Sequence, residues 1–577
     1  MKHVLRGVRC LGMTLLFALL VTGNCSLVTA QEIASPLDIP LLLSGNFGEL
    51  RTNHFHAGTD IKTQERIGHS VKAVKDGYVA RIGVSPYGYG NVLYIAHPDG
   101  TTSVYGHLDK FVSRIEALVR DSQYQRESFA VNLTLSPGDL PVKKGERIAL
   151  SGNTGGSGGP HLHFELRDTQ TEETFDALPY FKGRIADTRA PEIRGIRVFP
   201  QPGKGIANGS TRAQTITLTT TKAGKQTVGA ITAWGQVGVG VKAYDYMTNT
   251  SNVYGVKEVI LKVDNQEVYH AVVDRFSFDN DRALNSYVDW KEWTDHRQFF
   301  MKAYVEPGNK LGFNQSASNG LLDINQEKTY NLEYVLKDAY GNTSRLNFTI
   351  VGQKTAIPAV KPNGQLFAYN KDNSYNGNGI SLNIPKGNLY TDIYFNVTEV
   401  ADGSSPYAPL YKLEERVPLH SYCPLTLTIT DNTYPDKAKY GIVQLLPNGK
   451  KNWVGGKYIL GTITARIREL GSYTVLTDVT PPVIAPLGQA KWVANRRVAF
   501  KISDDLSGIA SYRGTVDGHW VLFEYDAKNN YLYYNHDAGA LRALSVHDGK
   551  SPVLNLIVTD DAGNEAQFTG EYPIPIS

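Results

Sequence analysis

Two stretches of this 577-residue chain carry side chains able to hold a metal ion. One is Ser151 to Asp168, SGNTGGSGGPHLHFELRD, and the other is Asn53 to Asp60, NHFHAGTD. In an extended strand alternate side chains share a face. His161, His163 and Glu165 therefore share one face, and Leu162, Phe164 and Leu166 the other. The apolar face belongs to a core, so the imidazole face looks into something polar. Two neighbouring imidazoles behind a flexible glycine loop suit a metal site, whereas a bare His-x-His is the ordinary mark of an edge strand at the surface. His56 and Asp60 are four apart. That spacing shares a face in a helix and in a strand, but Gly58 and Thr59 are poor helix formers. Two histidines and one carboxylate make a three-ligand set with a fourth position open, the pattern of a catalytic zinc rather than a structural one.

Short β-rich runs must position these residues. Glycine (55) and tyrosine (33) are abundant, and long amphipathic helical patterns are scarce, so the chain reads as mostly β. Strands are expected at Val71–Val74, Gly77–Ile82, Asn91–His97 and Thr102–Leu108. Turns at Asp76-Gly77, Tyr87–Gly90 and Pro98–Gly100 join them. Residues 112–136 interrupt the pattern as an insertion, with Arg114 to Gln125 its most helical part. Asp139 to Leu150 then turns at Lys144-Gly145 and leads into the glycine loop.

The first 30 residues read as a secretory leader: basic residues Lys2, Arg6 and Arg9, an apolar run from Leu11 to Val21, and a small-residue exit ending at Ala30. The run is too short to span a bilayer. Cys10 and Cys25 leave with the leader, so Cys423 alone remains and no intramolecular disulfide forms. Losing three basic residues balances the 59 Lys and Arg against the 56 Asp and Glu, which argues against a nucleic-acid partner. At 577 residues several domains are expected. Asp187–Pro191 and Thr477–Pro482 read as linkers. A weak repeat follows them. Val241-Lys242-Ala243-Tyr244-Asp245 parallels Phe500-Lys501-Ile502-Ser503-Asp504, and Lys337–Asn342 parallels Thr559–Asn564. Such short strands with Asp/Gly/Asn turns suit β-sandwich modules.

A specific resemblance joins the motifs. His56-x-Gly58-x-Asp60, a strand ending in Tyr105-Gly106-His107, the glycine loop and His161-Leu162-His163-Phe164 resemble, in that order, the M23 zinc metallopeptidases of lysostaphin/LytM type. Phe47-Gly48, Val74–Val79, Tyr89-Gly90-Asn91 and Val142–Ala149 also match, and the likeness covers about residues 44–182. It implies one zinc ion per chain, held by His56, Asp60 and His163, with His107 and His161 as the catalytic pair. It also implies peptide hydrolysis in peptidoglycan by a zinc-activated water.

The expected architecture is a leader (1–30), a LytM-like antiparallel β catalytic domain (31–188), a β-sandwich module (189–353), a β-rich middle module (354–478) and an Ig-like C-terminal sandwich (479–577). The expected setting is export to the periplasm, cell envelope or medium, with no transmembrane anchor after leader cleavage. The later modules would meet peptidoglycan or envelope proteins. A second reading is a silent wall scaffold or amidase activator with a vestigial site, and a third is a peptidase of secreted proteins. His54 competes with His56, although Gly58 and Asp60 register with His56. Tyr87 and Tyr89 line the groove or pack in its turn. Asp504, Asp505, Asp560 and Asp561 read as turn caps or as calcium ligands of a sandwich.

Overall fold

This computed structural model describes residues 33–574 except 182, 223, 225, 402 and 537–550. The expected leader, residues 1–30, lies outside the described residues. The chain is mostly β, and its helices are short. Among the described residues no helix is long and apolar enough to cross a membrane.

The N-terminal sheet runs in the order Leu43–Gly45, Thr59–Lys62, His161–Asp168, Thr101–Phe111, Asn91–Ala96, Gly77–Val84 and Pro141–Val142. Its neighbours pair antiparallel. The alternation in His161–Asp168 explains its central place. Leu162, Phe164 and Leu166 enter a core with Val71, Val79, Tyr105 and Phe181, which leaves the histidine face on the opposite side. Burying a side chain such as Phe164 contributes about 1.5–3 kcal/mol, so a one-residue slip that exposed this face would be costly.

The insertion forms a helix, Ser113–Arg126, ended by Glu127 in a left-handed conformation. Its outer side receives the C-terminal module. Tyr124 packs edge-on against Trp520 with ring centroids 5.1 Å apart. Glu127 Oε2 pairs with Arg513 Nη2 at 2.5 Å. From the same module Lys528 donates to the backbone carbonyls of Asn153 and Gly155 in the glycine loop.

Beyond residue 190 the chain builds further β layers. A nine-stranded sheet is centred on the long pair Glu192–Ala207 and Thr232–Tyr244. Two five-stranded sheets between residues 373 and 477 enclose a core that includes Cys423. Two four-stranded sheets follow from Val483 to Glu571 around Phe500, Phe523 and Leu556. The first of these layers also grips the N-terminal domain. Asp281 Oδ1 accepts from the Phe55 N–H at 2.6 Å, and Asn46 exchanges two 2.9 Å hydrogen bonds with Gly255.

Candidate metal centre

Strand register brings the first two donors together. His163 lies directly opposite Asp60 in the antiparallel ladder between His161–Asp168 and Thr59–Lys62, so both side chains stand on one face. His163 Nδ1 is 2.8 Å from Asp60 Oδ1. His56, on the chain entering Thr59–Lys62, places Nε2 at 3.0 Å from Asp60 Oδ1 and 3.1 Å from His163 Nδ1. All three residues are buried. A tetrahedral zinc with bonds of about 2.0 Å spaces its ligands about 3.3 Å apart, so the donors fit that ion with shifts of a few tenths of an ångström.

Gly58 is required by this packing. A Cβ there would sit 2.5 Å from the Phe164 carbonyl oxygen and 2.9 Å from His163 Cε1. The spacing His-x-Gly-x-Asp therefore combines two donors with a middle residue over which the next strand can pass.

Each of the four clustered imidazoles is fixed by an oxygen that can only accept. His56 Nδ1 donates to the Asn46 carbonyl at 2.7 Å. His163 Nε2 meets Glu165 Oε1 at 2.8 Å. His161 Nδ1 donates to the Gly159 carbonyl at 2.8 Å, and His107 Nδ1 to the Thr154 carbonyl at 2.9 Å. An imidazole held this way keeps a proton on its outer nitrogen and turns the other nitrogen inward. A lone pair on that inner nitrogen is what binding a metal or accepting a proton from water requires, and His163, facing Asp60, must first give up a proton there.

His107 reaches the cluster through a bulge. Asn91 opposes Leu108 and Leu93 opposes Tyr105, leaving the Gly106-His107 step irregular. His107 itself has φ +59°, a left-handed conformation uncommon for a side-chain-bearing residue. Its ring centroid lies 4.8 Å from that of His161 and 5.7 Å from that of His163.

The electrostatics divide the histidines. Burial, reinforced by the charges of His163 and His161, pushes His107 down to about 3 and keeps it neutral. Burial also lowers His163, but hydrogen bonds to Asp60 and Glu165 outweigh it and raise that group to about 9. Burial opposes ionisation of Asp60, yet the charge of His56 and hydrogen bonds from His161, His163 and His56 hold it well below the usual carboxylate range. Glu165 is penalised by burial too, but Arg167 and His163 bring it to about 2.

The face opens into a groove of about 590 Å³ lined by Arg51, Asp60, His107, His161, the loop residues 156–160 and Asn252. Gly155, at φ +67°, packs backbone to backbone on Gly90, where a Cβ would come within 2.3 Å of the Gly90 nitrogen.

His54 is exposed and bonds the Thr52 carbonyl. His97 is buried between the Asp76 carbonyl and Ser103. Neither joins the cluster. Tyr89 donates to Glu165 Oε1 at 2.5 Å, so it supports the site from behind. Sequence reasoning assigned no role to Glu165 or Arg51. Arg51 Nη2 bonds Asp60 Oδ2 at 2.8 Å, leaving Oδ1 for the cluster. A glutamate on the histidine face of a strand with an apolar back was a usable signal for Glu165. Arg51 had none, because its contact depends on tertiary placement.

Residues 54–124 match peptidase family M23, and residues 364–478 match the Zu5-like domain. The N-terminal part of the chain is an M23 peptidase domain. Peptidoglycan DD-endopeptidase ShyB of Vibrio cholerae is 38% identical over 25% of this chain and 28% of its own length. Murein hydrolase activator NlpD of Salmonella typhimurium is 35% identical over 17% of this chain and 20% of its own. The lysostaphin catalytic domain from Staphylococcus simulans is 28% identical, covering 24% of this chain and 90% of that one, with a TM-score of 0.18. The chain spans less than a third of either of these two curated relatives.

Proposed function

We propose that the M23 domain of this chain is a zinc-dependent endopeptidase, exported to the cell envelope, that cuts peptide bonds in peptidoglycan stems or cross-links. One observation carries the reading. His56, Asp60 and His163 offer three convergent donors, and two further imidazoles, His107 and His161, have their lone-pair nitrogens on the groove side. An activator relieved of catalysis has no need of all five.

His56 Nε2, Asp60 Oδ1 and His163 Nδ1 hold the ion in this proposal. When bound, zinc supplies Lewis acidity, polarising a scissile carbonyl and making water acidic near neutral pH. The chain's own groups do the rest. Held neutral by burial, His107 takes a proton at Nε2 and, once protonated, donates it from there to charge that develops in the transition state. His161, anchored through the Gly159 carbonyl, does the complementary half. Residues 156–160 and Arg51 flank the groove where an extended peptide lies. The modules after residue 189 space or dock the enzyme on the envelope.

The similarity to an activator motivates a second reading, a non-hydrolytic scaffold. Zymography on purified peptidoglycan separates the two. Clearing that a chelator abolishes and zinc restores supports the peptidase. Absence of clearing by protein that has been loaded with zinc supports the scaffold.

A further inference from the structure

Two modules are entered through the same arrangement of carboxylates. Asp187 lies in the linker after the peptidase domain, Asp245 follows the strand Thr232–Tyr244, and Asp338 follows Thr329–Lys337. Asp478 lies in the second linker, Asp504 follows Arg497–Ser503, and Asp560 ends Val553–Asp560. Within each set, one oxygen from every residue lies within 4.8 Å of the other two. Calcium bonds of 2.3–2.6 Å let one ion span oxygens up to about 5 Å apart.

The supporting hydrogen bonds are duplicated as well. Asn342 Nδ2 donates to Asp338 Oδ2 at 2.7 Å and to the Asp187 carbonyl at 3.3 Å. Asn564 Nδ2 donates to Asp560 Oδ2 at 2.8 Å and to the Asp478 carbonyl at 3.1 Å. These bonds explain the turns but leave other oxygens over. Asp187 accepts from Arg189 and twice from Thr248 through Oδ1 alone. Its Oδ2, and Oδ1 of Asp245 and of Asp504, are buried without a hydrogen-bond partner among the described residues. Asp187, Asp245 and Asp338 are only 8%, 3% and 5% exposed.

Among the described residues no basic side chain forms an ion pair with them, although the charge of Arg189 is felt at Asp245. Arg189 pairs with Glu192, and Lys439, beside the second set, pairs with Asp436 and donates to the Ala562 carbonyl. Buried carboxylates without a paired counter-charge are unfavourable, so the set Asp187, Asp245 and Asp338 calls for protons or a cation. Burial and the Asp338 charge push Asp245 up to about 8, a measure of that unmet demand. An oxygen-only donor set selects a hard cation, unlike the histidine-rich cluster of the peptidase domain.

We propose that Asp187, Asp245 and Asp338 form a calcium site. The ion takes one ligand from the linker and two from the module that follows, and so fixes the linker on its module. The site has a direct consequence for the groove. The chain leaving Asp245 buries Met247 and Tyr254 in the peptidase core, and Tyr254 donates to the Leu43 carbonyl at 2.8 Å. Asn252 on the same segment lines the groove. Calcium thereby orders one wall of the groove from a module outside the catalytic domain.

The test uses the full-length chain, loaded with zinc and freed of calcium, and titrated with calcium chloride alone. Bound calcium is counted by elemental analysis after gel filtration, and melting is followed in parallel. The expected result is at least one calcium ion per chain at millimolar calcium, with a rise in Tm. D245N/D338N lowers the count by one while keeping the wild-type far-UV circular dichroism, which shows that the variant is folded. The proposal is overturned if the wild type binds less than about one ion at millimolar calcium, a count that needs no variant. It is equally overturned if D245N/D338N keeps the wild-type count.

Discussion

His163 and Glu165 form a buried imidazole–carboxylate pair in which Nε2 meets Oε1 at 2.8 Å while Nδ1 faces Asp60. Glu165 is in turn gripped by Arg167 Nε at 2.6 Å and by Tyr89. The pair fixes which imidazole nitrogen is free and raises its basicity. Glu165→Gln keeps the shape and removes the charge. It is expected to weaken zinc binding about 10–100-fold, read by competition with a chromogenic chelator. Unchanged affinity would show that Glu165 only packs.

The two histidines of the His-x-His pair should separate by phenotype. His161→Ala is expected to retain zinc and to lower turnover about 10²–10⁴-fold, as is His107→Ala. His163→Ala is expected to lose the metal. Elemental analysis beside a peptidoglycan-release assay reads both quantities. Equal zinc loss in His161→Ala and His163→Ala would reject this division of labour.

Zinc uptake should expel a proton. Burial works against a charged His163, but Asp60 and Glu165 hold it near 9 in the absence of metal. A metal at Nδ1 has to displace that proton. Affinity should therefore rise with pH up to about 9, by about tenfold per unit. Calorimetry in buffers of different ionisation enthalpy should report about one proton released near pH 7. No dependence on buffer would contradict the shared-proton geometry.

Asp281 predicts a stability slope of defined sign. Burial, only partly offset by its hydrogen bond from Phe55, raises its carboxyl from the ordinary 3.8 to about 7. Between those values the folded chain holds a proton that the unfolded chain has lost. This group therefore makes stability fall as pH rises from about 4 to about 7, and contributes no further slope above that. Asp281→Asn retains an acceptor for the Phe55 N–H. Its stability relative to wild type should improve across that window in urea titrations, and a parallel pair of curves would contradict the shift.

The readable part of the molecule was its local periodicity. Leu162, Phe164 and Leu166 alternate with His161, His163 and Glu165, and a period of two translates directly into a buried and a functional face. The helical stretch between Arg114 and Gln125 was legible for the same reason, and it lies in the observed helix Ser113–Arg126. What the helix meets was not legible, because Trp520 and Arg513 come from a module almost 400 residues away. The pairing of His163 with Asp60 across a ladder depends on register between distant strands, which local pattern does not encode. The bulge at Gly106-His107 left no mark beyond one glycine. The Asp repeats were visible as text, yet Asp505 and Asp561 stand beside the gathered carboxylates, while Asp187 and Asp478 enter from linkers.

The most direct test of zinc-dependent hydrolysis at this site follows the products made from purified peptidoglycan by metal-free, zinc-reconstituted and His161→Ala proteins, using mass spectrometry of the released muropeptides. New amino termini within stems or cross-links are expected from the zinc-reconstituted chain alone, with sugar–peptide amide bonds left intact. Intact muropeptides after incubation with a chain verified to carry one zinc would contradict it.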